Sequence, residues 1–260
     1  MNIKLTQWRI CNALSFKRTC FIINDDILFW HQTIFIFYIM NNWEQIKQFA
    51  RTFNISGFEL PKDQFKWIKA ASHEAKQNEF FYSEELVGHI KEEYRITKIS
   101  KSFAQYLLNC CVTPPVFDTW KDIGILSKSA PICVDSLWCN FQKKYEFNPP
   151  HSHSGIVSFV IFVQIPYDLK EEEKYFKEKI RKIIPNELAD PDITRKGEAS
   201  RFGFINSTPH GRIVSQTLPI DKTLEGKMLM FHASQMHYVN PFYTSDDYRI
   251  TVSGNIKFKV

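Results

Sequence analysis

The sequence predicts an α+β fold: a block of supporting helices followed by a β-sandwich or jelly roll. Three observations carry that prediction. Between Asn41 and Cys111 apolar residues recur at three- and four-residue steps, the pattern of helices with one buried face. After Pro131 the pattern changes to short runs rich in β-branched and aromatic residues. With 260 residues, 44% of them hydrophobic and 23% charged, the chain can bury one large core. Many short strands after a run of helices then fit two layers closing on that core.

Residues 1–40 form a hydrophobic extension. Within it Ile27 to Met40 (ILFWHQTIFIFYIM) is fourteen residues and largely apolar, short of the ~20 that span a bilayer. No small-residue cleavage site follows, so a signal peptide fits poorly. The run reads as a peripheral hydrophobic element, a membrane-associated segment, or non-native sequence upstream of a start at Met40.

Residues 41–130 form the helical lead-in. Trp43, Ile46, Ala50 and Phe53 make one apolar stripe, and further helices are expected over 62–77 and 83–94. A fourth carries Phe103, Tyr106, Leu107, Cys110 and Cys111 on one face. Ser102 and Gln105 suit a capping box at its start, and Pro114-Pro115 bounds its end.

Residues 131–260 form the β core. Ile132–Gln142 reads as a strand, and Gly155–Ile165 (GIVSFVIFVQI) as a strand buried on both faces. A charged insertion covers about 168–200, helical to Lys182 and a polar loop beyond. Strands resume at 201–206, 212–218, 227–231, 236–239 and 248–259.

Several function classes recede on composition. Only 9 glycines are present, with no phosphate-binding glycine motif. The net charge of +5 lacks the concentrated basic stripe of a nucleic-acid binder. The 6 cysteines include no CxxC, and Cys110 and Cys111 read as small buried residues in a reducing, cytoplasmic setting.

The chemistry concentrates in the β half. His151 and His153, in PPHSHSG, are two residues apart, so an extended strand would point both rings to one face. Two neutral imidazoles there suit adjacent positions on a divalent transition metal. A third ligand would come from His232 or His237, which are five apart and would face opposite ways on one regular strand. In YRITVSGNIKF, Arg249, Thr251, Ser253 and Asn255 alternate with Ile250, Val252, Ile256 and Phe258. The polar stripe is either a solvated outer face or a cavity wall on which Arg249 grips a carboxylate and Thr251 adds a hydroxyl.

The ordered set Trp138-x-Asn140, Phe147-Asn148-x-Pro150-His151-x-His153-Ser154-Gly155, Gln164-Ile165-Pro166, Met230-Phe231, His237 and Arg249-Ile250-Thr251 resembles the Fe(II)/2-oxoglutarate-dependent oxygenases. It is most similar to an oxygenase branch common in marine bacteriophages. The resemblance covers about residues 80 to 258. It implies a double-stranded β-helix (jelly roll) and a hydroxylase-type reaction in which dioxygen is consumed and 2-oxoglutarate is decarboxylated to succinate. It implies Fe(II) held by His151, His153 and His237, with 2-oxoglutarate bound by Arg249, Thr251 and Asn140. His153 stands where the wider family carries a carboxylate, and His232 where a proline is more usual.

Other readings stay open on the sequence. A shifted register would make His153 the first ligand and put Gly155 at the carboxylate position, as in related halogenases. A three-histidine cupin-like enzyme without 2-oxoglutarate, or a zinc hydrolytic site, would use the same imidazoles, although Glu146 is the nearest carboxylate and no general base stands out. A jelly roll serving only as an interaction module is the non-enzymatic alternative. The primary substrate is not legible, no nucleic-acid partner is indicated, and no segment reads as a firm membrane span.

Overall fold

The structure is a computed structural model that describes residues 22–23, 26–27, 43–44, 46–47, 55–83, 86–113, 116, 131–180, 198–207 and 210–259. The chain divides into two units, Met1–Gln45 and Ile46–Val260. In the first, the two-residue strands β1 (Ile22–Ile23) and β2 (Asp26–Ile27) pair antiparallel. Residues 28–40 of the apolar run, Ala50 and Phe53 of the first expected helix, and 181–197 of the charged insertion lie outside the described residues. Among the described residues no helix is long and apolar enough to cross a membrane.

The second unit holds two antiparallel sheets. In the larger, β7 (Val157–Gln164), β12 (Arg249–Phe258) and β5 (Ile132–Gln142) lie side by side. Beyond β7 come β10 (Lys227–His232) and β3 (Ser56–Glu59), and beyond β5 comes β4 (Glu93–Arg95). The smaller sheet runs β6 (Asn148–His151), β11 (His237–Val239), β8 (Phe202–Ser207) and β9 (Ile213–Leu218).

Two-residue alternation decides what each face of the larger sheet buries. Leu137, Cys139 and Phe141 of β5, Ile161 and Val163 of β7, Met228 and Met230 of β10, and Ile250, Val252 and Ile256 of β12 enter one core cluster. Ile68, Ala71 and Ala75 of helix α1 (Lys62–Gln77) join it, as do Phe103, Leu107, Cys110 and Cys111 of α2 (Lys101–Cys111). The opposite face is aromatic where the sheets meet: Phe231 of β10 lies 5.3 Å from Phe204 and 6.4 Å from Phe202, both of β8. Aromatic area of this kind dominates core energetics and explains the use of so many phenylalanines. Two antiparallel sheets closing on this interior, with helices behind the larger, form the double-stranded β-helix of an α+β domain.

Helix α1 and strand β5 span the residues expected of them, and the strands after residue 200 lie within about two residues of their expected bounds. Two expectations are corrected. The helix expected over 83–94 does not extend through 86–94: Glu93–Arg95 form an edge strand against β5, and 86–92 are irregular. Pairing with the sheet and burial of Tyr94 override helix propensity there. Helix α2 is capped by Ser100, whose side chain accepts from Phe103 N at 3.1 Å, and not by Ser102. The helix starts before Ser102, and Gln105 instead donates to Asn109 Oδ1.

The charged insertion opens with helix α3 (Leu169–Tyr175), capped by the Asp168 side chain. A π-helical turn, Phe176–Ile180, extends it. Its Glu172 is fully buried and accepts from Tyr243 N, Thr244 N and the Thr244 hydroxyl. These bonds pin the loop that leads into β12, and with it the start of the strand that carries Arg249.

Candidate active site

Strands β6 and β11 bring two histidines together by register, since His151 and His237 are cross-strand partners. Their ring centroids lie 4.3 Å apart. His153 joins them by a different route from the one the sequence suggested. It lies beyond the end of β6, and its backbone N–H donates to the Ala233 carbonyl at 2.8 Å, in the turn between β10 and β11. Its ring still comes within 5.0 Å of each of the others. One ligand atom from each of the three lies within 4.8 Å of the others. His232 ends β10 in the other sheet, and its ring is hydrogen-bonded to Ser234 instead.

Backbone carbonyls set the tautomers. His151 Nδ1 lies 2.7 Å from the Pro149 carbonyl and His237 Nδ1 lies 2.9 Å from the Gln235 carbonyl. A carbonyl only accepts, so each Nδ1 carries the proton and each Nε2 keeps a lone pair. Burial lowers all three pKa values; with added repulsion from His151, His153 falls to about 4 and His237 to about 3. At neutral pH the cluster is three uncharged donors, the form a transition metal requires. Phe202 stacks on His237 at 5.7 Å, Phe231 lies 4.9 Å from it, and Trp138 lies 5.4 Å from His153. These rings limit water at the cluster. The donor set fits a divalent metal ion.

The same residues border a cavity of about 260 Å³. Arg249, Thr251, Ser253 and Asn255 also line it, so the polar stripe of β12 is a cavity wall and not a solvated face. Arg249 is 2% exposed. Its Nε and Nη2 both donate to Gln142 Oε1, Nη2 also to the Asn240 carbonyl, and Nη1 to Tyr167 Oη and the Ser200 carbonyl. Every acceptor is neutral, so these bonds leave the buried guanidinium charge without a counter-ion. Such an arrangement fits an anionic ligand in the cavity. Asn140, the cross-strand partner of Thr251, donates to its Oγ1 at 3.1 Å and keeps a buried Oδ1 without a partner.

Sequence reasoning missed Glu93, Gln142 and Tyr167. Glu93 is the carboxyl group among the residues lining the cavity, and burial, with repulsion from Glu146, pushes its pKa up to about 8. Its signal was hidden because residues 83–94 read as a scaffold helix. Gln142 lines the cavity and holds Arg249, Tyr167 meets the site through its bond to Arg249, and no spacing in the sequence marks either.

Residues 136–255 match the profile of a family described as "Putative 2OG-Fe(II) oxygenase". This β core carries the sequence profile of the 2-oxoglutarate/Fe(II)-dependent oxygenase family. Ferrous iron and 2-oxoglutarate are the cofactor and cosubstrate of that family. Among solved structures, the chain is similar to an oxidoreductase of the 2OG-Fe(II) oxygenase family from Burkholderia pseudomallei, with 11% identity, TM-score 0.45, and coverage of 84% of this chain and 90% of that one. A prolyl-4-hydroxylase from Pseudomonas putida has 13% identity and TM-score 0.45, over 80% and 94% of the two chains. IDO from Bacillus thuringiensis has 12% identity and TM-score 0.42, over 85% and 98%. No curated protein matches the chain.

Proposed function

We propose that the chain is a hydroxylase-type oxygenase in which His151, His153 and His237 hold Fe(II) and Arg249, Thr251 and Asn140 bind 2-oxoglutarate. The observation that carries this reading is the pairing, in one cavity, of three convergent uncharged imidazoles with a buried arginine that has no anionic partner among the described residues. When bound, the iron and 2-oxoglutarate supply the oxidising chemistry, with dioxygen consumed and succinate released.

The chain's own groups orient and shield. The Pro149 and Gln235 carbonyls hold two imidazoles by their Nδ1–H groups, which fixes ring orientation and raises ligand basicity. Arg249 offers charge and the Thr251 hydroxyl a further hydrogen bond to the far carboxylate of the cosubstrate. Gln142 Oε1 now takes the Nε and Nη2 donors of Arg249, so a carboxylate that used those donors would have to displace it. Phe202, Phe231 and Trp138 exclude water. His153 in place of a carboxylate leaves the metal site one unit more positive, which shifts redox poise and metal preference.

The four described cysteines are free, in keeping with a reducing cytoplasm, that of the host if a phage encodes the chain. The His-x-His motif likewise supports kinship with the branch common in marine bacteriophages.

The deciding measurement is anaerobic addition of Fe(II) and 2-oxoglutarate. A weak visible charge-transfer band that needs both additions, followed on oxygenation by one succinate per 2-oxoglutarate consumed, is the expected result. A three-histidine enzyme that does not use 2-oxoglutarate would show neither.

A further inference from the structure

One wall of the cavity is made of hydrogen-bond acceptors with nothing to accept from. Glu93 is 1% exposed, and its Oε2 has no hydrogen-bond partner. Oδ1 of Asn140, its cross-strand neighbour, and Oδ1 of Asn148 are also unpartnered, and all three residues line the cavity. Asn148 Oδ1 and the other oxygen of the Glu93 carboxyl border one point: a Cβ built on Gly88 would lie 2.1 Å from Asn148 Oδ1 and 3.4 Å from Glu93 Oε1. Glycine at 88 therefore lets the acceptors close in on one another. Each buried acceptor left without a donor costs about 1–3 kcal/mol, more for a charged group, so a ligand with donors is the natural complement.

The sign of that ligand follows from the wall. Neither carboxylate of 2-oxoglutarate has a proton to give, and a second negative charge beside Glu93 would only hold its carboxyl protonated, whereas a cation would let it ionise. Turning over the Asn140 or Asn148 amide would present nitrogen in place of oxygen. No rotation changes the carboxyl of Glu93. The charge that acts on Glu93 from the protein is that of Glu146, of like sign, so a cation is drawn to the pair. We infer that Glu93, with the amide oxygens of Asn140 and Asn148, binds a cationic amine group of the primary substrate in the cavity that holds the histidine cluster. That the ligand is an oxidised substrate rests on the proposed oxygenase function; that the wall takes a cation does not.

The test is calorimetric binding of n-butylammonium, n-butanol and butyrate to the full chain, both as purified and with Fe(II) and 2-oxoglutarate added without oxygen. These probes share a carbon chain and differ in charge. A charge-assisted bond to a buried carboxylate predicts an ammonium at least ~10-fold tighter than the alcohol, with butyrate weaker still. Glu93→Gln, which keeps shape and removes charge, should erase that ~10-fold preference. Asn148→Asp, which adds a second carboxylate beside Gly88, should strengthen it. The inference is overturned if the alcohol or butyrate binds as well as the ammonium, if no probe binds, or if neither variant moves the preference. A charge preference without 2-oxoglutarate turnover would sink the oxygenase reading alone; turnover without the preference would sink this one alone.

Discussion

Arg249 joins several structural contacts to one functional expectation. Its five N–H groups are satisfied by neutral acceptors, yet its charge is not, and that residue of charge is what a dicarboxylate would neutralise. Arg249→Ala should therefore raise the dissociation constant for 2-oxoglutarate by ~100-fold or more while metal content stays near that of wild type. Isothermal titration with 2-oxoglutarate, beside metal analysis, checks it; unchanged 2-oxoglutarate binding would mean that the guanidinium serves only the loops it ties. The histidines allow a sharper contrast. His153→Ala should sharply lower Fe(II) affinity, and His153→Asp should retain much of it by restoring the commoner carboxylate donor. His151→Ala should be as damaging as His153→Ala. Full iron occupancy in His151→Ala, with chloride perturbing the metal spectrum, would favour the shifted register in which Gly155 stands at the carboxylate position. The sequence made the three histidines and Arg249 visible through spacing and order. It could not say which way the β12 stripe faces, because both faces of that strand are buried and alternation alone does not rank two buried faces.

Among the elements, legibility followed length and redundancy of pattern. Strands β5, β7 and β12 are long and carry several alternating or continuous apolar positions, so their signals survive local noise. Strands β3, β4 and β6 are three or four residues long, and β6 begins Asn-Pro-Pro. Their pairing is imposed by neighbours and leaves little trace in sequence. Gly254 and Gly203 show what such neighbours demand. A Cβ on Gly254 of β12 would lie 2.5 Å from Phe159 Cζ and 2.6 Å from the Ser136 carbonyl oxygen. For a Cβ on Gly203 of β8 the three nearest atoms, from 2.1 Å, all belong to the ring of Tyr238, a side chain that can swing aside. Gly254→Ala should thus cost about 1–3 kcal/mol, since backbone on the adjacent strand must move, and Gly203→Ala clearly less. Urea unfolding midpoints at unchanged slope would measure both. Equal costs, or a neutral Gly254→Ala, would show that β12 and β5 slide past one another more freely than their register implies.

Over the whole molecule, the cavity's ionisable groups act on stability in opposite directions. His153 and His237 have folded pKa values of about 4 and 3, below the ordinary 6.5. The stability they contribute is present above pH 6.5 and is lost as pH falls toward those values, because the unfolded chain binds the protons first. Glu93 has a folded value of about 8, above the ordinary 4.5. Its contribution is fully present below pH 4.5 and is lost as pH rises through 8, at ~1.4 kcal/mol for each pH unit between. From pH 4.5 to 6.5 the two histidines outweigh the single carboxyl, and above 6.5 only the carboxyl still changes. The metal-free protein should accordingly be most stable near pH 6.5, with a steep acid limb and a shallower alkaline one. Glu93→Gln should flatten the alkaline limb up to pH 8 and leave the acid limb in place. Bound metal should do the reverse: protons compete with the ion for the same imidazole lone pairs, so the acid limb steepens and the alkaline limb is untouched. Thermal midpoints from pH 5 to 8, for wild type and Glu93→Gln with and without a redox-inert divalent ion, separate the two effects. An alkaline limb that persists in Glu93→Gln would assign the loss to another group and remove Glu93 as the buried acid that ionises late in this cavity.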